Sequence, residues 1–98
     1  MVTRTEPPGD LARHRLVVSA PALWPAWPFL PLVRRSGDTE ELGVLFDALG
    51  ACGLTGYGSA VFLCNVFALP ARLDQLLALP KEVFDTADEL IQSGWRVD

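Results

Sequence analysis

The sequence predicts an α+β domain: a small, mainly antiparallel sheet with two carboxy-terminal helices packed on it. Three observations carry that reading. A run of 24 residues without a charged side chain, Ala48 to Ala71, ends in Ser59-Ala60-Val61-Phe62-Leu63-Cys64-Asn65-Val66-Phe67-Ala68-Leu69, the most apolar phrase of the chain. Ahead of it, Leu30 to Arg35 can pair as a hairpin with the strand reading of Glu40 to Gly50, across a loop of Ser36 to Glu41 in which Ser36-Gly37-Asp38-Thr39 are residue types that favour turns. Behind it, apolar residues recur at helical rather than alternating spacing, the primary signal for a change of element.

In chain order, residues 1–12 contain Pro7, Pro8, Gly9 and Asp10 with little to bury, and are expected to form a disordered lead-in. Residues 13–98 then form the domain. Arg15-Leu16-Val17-Val18-Ser19 is short and β-branched, which reads as a strand. Trp24-Pro25-Ala26-Trp27-Pro28-Phe29-Leu30-Pro31-Leu32-Val33 follows, with prolines at every third residue. That spacing matches a polyproline II turn, giving an apolar strap across the domain or a tryptophan-bearing surface for a partner.

Glu40 to Gly50 has two readings. As a helix, Leu42, Leu45, Phe46 and Leu49 share a face and Gly50 stops it; as a strand, Leu42, Val44 and Phe46 alternate with Gly43, Leu45 and Asp47. The strand is preferred, because Gly43 costs a helix interior about 1 kcal/mol. Residues 50–59 form a glycine-rich connection into the central strand. That strand is apolar on both faces, as a covered interior strand should be. After Pro70, Leu69, Leu73, Leu76 and Leu77 give a first helix. Thr86 and Glu89 have capping-box spacing for a second, which Gly94 ends.

The uncharged run meets the length of about 20 residues that a membrane-spanning helix needs. Gly50, Gly53, Gly56 and Gly58, with Thr55, Tyr57 and Ser59 between them, argue against that use. Nothing resembles a secretory signal: Pro21, Pro25, Pro28 and Pro31 interrupt the only segment that could supply its apolar core. A cytoplasmic setting is therefore expected, with Cys52 and Cys64 as free buried thiols, although a disulfide between strands flanking a hairpin stays open.

The net charge of −4 is unevenly spread: five basic residues face two acidic ones up to Arg35, and three face ten thereafter. Generic nucleic-acid binding, which relies on Lys and Arg neutralising phosphates, is not expected, and neither is membrane binding. A lone His14 leaves no base for nucleophilic catalysis, and two cysteines twelve apart lack zinc-ligand spacing. Gly53-Leu54-Thr55-Gly56-Tyr57-Gly58-Ser59 has the wrong order for a phosphate-cradling loop. No catalytic signature, metal-ligand spacing or cofactor motif is found in the sequence, and it resembles no known family.

Half the residues are hydrophobic and a fifth are charged, which is more apolar than a typical domain. Surplus apolar surface follows. The leading expectation is a small non-catalytic interaction or assembly module, contacting a second copy or another protein through Trp24, Trp27, Phe29, Arg34 and Arg35. Trp and Arg are the residue types most concentrated at binding hot spots. The alternative is a small enzyme or ligand-binding protein with its site near residues 50–59, using Tyr57, Ser59 and Asn65. Asn65 stands out because an unsatisfied buried amide costs about 1–3 kcal/mol.

Overall fold

In the computed structural model, which describes residues 8–98, a single antiparallel sheet of five strands lies between two layers of helices. Its strands are β1 (Phe29–Ser36), β2 (Thr39–Phe46), β3 (Ala60–Phe62), β4 (Lys81–Val83) and β5 (Arg96–Val97), in the order β4-β3-β2-β1-β5. The helices are α1 (Pro8–Ser19), α2 (Ala48–Cys52), α3 (Leu73–Leu77) and α4 (Ala87–Gln92).

The α+β class matches the expectation, but the helices are not confined to the carboxy-terminal part. Residues 8–12 of the expected lead-in, and the segment expected as a strand over 14–20, form α1 instead. Residues 1–7 of that lead-in lie outside the described residues. Pro8 opens the helix where a proline fits best, and Asp10 in its first turn suits the helix dipole. The β-branched pair Val17 and Val18 is recruited by packing: Val18 joins the core beside Leu90 and Ile91 of α4. Arg15 adds an ion pair to Asp88. Tertiary contact here overrides a weak local preference.

The β1–β2 hairpin is the backbone of the fold. It pairs without interruption from Phe29↔Phe46 to Ser36↔Thr39. The turn is only Gly37-Asp38, with Gly37 in the left-handed region at φ 58°, so both strands reach further than the hairpin expected from the sequence. This pairing also claims Pro31 for a strand, opposite Val44. The polyproline II strap is therefore replaced: Pro21–Leu23 is a 3-10 turn, a cis Trp27–Pro28 peptide bond follows, and β1 begins at Phe29.

Alternation along the strands sends neighbours to opposite faces. Leu30, Leu32, Leu45 and Val61 pack with Trp24, Trp95 and the α1/α4 layer. Phe46 and Phe62 pack with Ala48 of α2 and Leu76 of α3. The expected pair of carboxy-terminal helices is thus split, α3 beneath the sheet and α4 above it with α1.

The central strand is real, apolar on both faces and interior, but it is three residues long, Ala60–Phe62, rather than running from Ala60 to Leu69. The Cys64 N–H bonds back to the Phe62 carbonyl at 3.0 Å. Asn65 then caps a 3-10 turn over Val66–Ala68, accepting the Phe67 N–H at 3.0 Å. An Asn side chain that satisfies nearby backbone competes with sheet pairing, and this ends the strand. The same bond answers why an amide interrupts an apolar run. Neither cysteine is in a disulfide, as expected, but neither is buried: Cys52 is exposed and Cys64 half-buried, because both lie outside the short interior strand.

Candidate functional site

Two surface features are candidates: a cleft at the glycine-rich end of the sheet and an exposed, largely apolar segment, the tip, at residues 63–73, whose one charged residue, Arg72, pairs with Asp74. The cleft is built from the core outward. The Trp24 indole is anchored by donation of its Nε1–H to the Val17 carbonyl at 2.6 Å, and with Val18, Phe46 and Ala48 it makes an apolar floor. At the end of β2, Asp47 turns the chain into α2. Its Oδ1 accepts the Gly50 N–H at 3.0 Å and its Oδ2 the Trp27 Nε1–H at 2.8 Å.

Beyond α2, Gly53 ends the helix at φ 74° and Gly56 turns the chain again at φ 92°, conformations that favour glycine. Leu54, Thr55 and Ser59 line the cleft together with Asp85 and Thr86 at the start of α4. The Ser59 carbonyl accepts the Phe84 N–H at 2.9 Å, fixing that wall. The cleft, open to solvent on one side, has a volume of about 490 Å³.

The tip is the second feature. Phe67 is 94 % exposed on the 3-10 turn that Asn65 caps, and Leu63 and Leu73 are exposed on either side of it in the chain. From Leu63 to Ala71 there is no charged side chain.

The residues singled out in the sequence divide among distinct places. Trp24 is in the core with 7 % of its surface exposed, whereas Trp27 is 49 % exposed beside Asp47. Phe29 stacks on Phe46, with ring centroids 5.2 Å apart. Arg35 is exposed and paired with Glu40 at 3.0 Å. Arg34 is held inside the molecule's own ion network: Glu41 at 2.9 Å, Glu82 at 2.7 Å, and the Trp95 ring 4.5 Å from its guanidinium carbon. The five do not form one surface.

Of the ligand-site residues, Ser59 lines the cleft; Tyr57 leans away onto Phe62, with centroids 6.3 Å apart, and Asn65 caps the tip. Sequence reading missed Asp47 and Phe67. Asp47 precedes Ala-Leu-Gly-Ala-Cys, a helix-cap signal hidden by the strand before it. Phe67 looked buried because its apolar neighbours extended the strand pattern.

Chemically, the cleft offers carboxylates and hydroxyls over an apolar floor. Among the described residues no group of three or more His, Cys, Asp or Glu side chains could hold a metal ion, and no helix is long and apolar enough to cross a membrane. Burial raises the Cys64 thiol above its ordinary value, which disfavours the reactive thiolate. Comparison of the chain with protein-family models, with curated proteins and with solved structures gave no match in any of the three.

Proposed function

We propose that this chain is a non-catalytic assembly module that associates with a second copy of itself through the apolar tip at Leu63, Phe67 and Leu73. The observation that carries the proposal is Phe67: a phenylalanine 94 % exposed on a turn fixed by a side-chain cap. Covering an aromatic side chain of this kind contributes about 1.5–3 kcal/mol. The cap fixes the backbone of the turn that carries the ring. The expected role of the Trp/Pro phrase narrows to Trp27, the tryptophan of that phrase that stands exposed. A cytoplasmic setting belongs to the same proposal, supported by two unbonded cysteines.

The test is the solution mass of the natural chain and of Phe67→Ser across a dilution series, with circular dichroism as a check on folding. The natural chain is expected to run as a dimer or larger assembly that dissociates on dilution, and the folded variant as a monomer at every concentration. A folded variant that assembles like the natural chain would remove the tip from the interface. A natural chain that stays monomeric throughout would defeat the proposal.

A further inference from the structure

We propose that the cleft between α2, the glycine-rich connection and the start of α4 binds a small organic cation, an ammonium group carried on an apolar body. The inference goes beyond the assembly reading and does not rest on it. A volume of about 490 Å³ falls in the range of small-molecule sites, which pair an apolar lining with a few placed polar groups. Here the apolar part is the buried floor of Trp24 and Phe46 with the exposed Leu49 at its rim.

The polar part has one sign. Asp47 and Asp85 both line the cleft, and no Lys, Arg or His is among its lining residues. Of the nearby acids, Asp88 pairs with Arg15 and Glu82 with Arg34, while the Glu89 carboxylate accepts the Asp85 N–H. Asp47 and Asp85 have no ion-pair partner among the described residues. Asp47 accepts two neutral N–H groups, which fix its carboxylate without cancelling its charge. The Thr55, Ser59 and Thr86 hydroxyls can accept the remaining ammonium protons.

Complementarity therefore selects against anions and in favour of cations, while the floor supplies affinity for an aryl or alkyl body. At a partly exposed site each unneutralised carboxylate is worth only about threefold for an ammonium after solvent screening, and the two together give about a tenfold preference over a neutral isostere.

The probe is phenethylammonium, titrated into the folded chain and read by calorimetry and by tryptophan emission, since Trp24 forms the floor. Its neutral and anionic counterparts are 2-phenylethanol and phenylacetate. Phenethylammonium is expected to bind about tenfold more tightly than the alcohol, with phenylacetate weaker still. Asp85→Asn should leave the amine only about threefold tighter than the alcohol, the share that Asp47 alone supplies, and 0.5 M salt should weaken the preference of the natural chain. Equal affinity for the three probes, no binding of the amine to folded protein, or an amine affinity that Asp85→Asn leaves unchanged would each overturn the proposal. Repeating the titration on Phe67→Ser separates this outcome from that of the assembly reading, because the tip is not part of the cleft.

Discussion

Arg34 meets two carboxylates and an indole at once, and the arrangement depends on a glycine. A Cβ added at Gly43 would lie 2.5 Å from Val61 Cγ1 and 3.0 Å from the Trp95 ring, so Trp95 can lie over the sheet only because residue 43 has no side chain. Gly43→Ala is expected to cost about 1–3 kcal/mol through overpacking, measurable as a lower urea midpoint. Trp95 in turn donates its Nε1–H to Glu82 at 3.3 Å. The hydrogen bonds from Arg34, first, and from Trp95 hold the Glu82 carboxyl below its ordinary value, against the opposing effect of burial. A depressed carboxylate stabilises the fold fully above the ordinary value, near pH 4.3, and that contribution is lost as pH falls through the lower folded value. Glu82→Gln should therefore cost about 1–2 kcal/mol at pH 7, allowing for partial exposure. Urea titrations at pH 7 and pH 3 should show the difference between the variant and the natural chain shrinking toward the acid end.

Elements were legible in the sequence wherever their ends are marked by a residue with one physical role. Thr86 accepts the Glu89 N–H at 3.2 Å and the Glu89 carboxylate accepts the Asp85 N–H at 3.0 Å, so the spacing that predicted α4 is the one that starts it. Gly94 ends that region at φ 104°, as its position implied. Thr86→Ala is expected to lower stability by about 1 kcal/mol, read as a shift in thermal midpoint, and to leave the tip unaffected. The β1–β2 hairpin was legible through alternation and its turn residues. By contrast, α1 was hidden because Val17 and Val18 favour a strand locally, and only the α4 surface they pack on decides otherwise. β4 was hidden too: three residues between Pro80 and Phe84 carry no period, and they become a strand through pairing with β3. The cleft was half legible. Its glycine-rich wall could be read from residues 50–59, whereas its floor joins Val18, Trp24 and Phe46, which only the folded chain brings together.

At the scale of the whole molecule, the uncharged run from Ala48 to Ala71 is spent in three ways. Its first part forms α2 and the cleft wall, its middle the interior strand β3, and its last part the exposed tip. Phe67 adds nothing to the core from this position, and the proposed contact with a second copy is the role assigned to it. Hydrogen exchange at high and low protein concentration tests this most directly, because it reports which segment is covered without altering a residue. Protection that rises with concentration across residues 63–73, and leaves the exposed end of β1 and β2 around Gly37 unchanged, is the result expected. Protection that is independent of concentration at the tip, or that rises at another surface instead, would contradict the account.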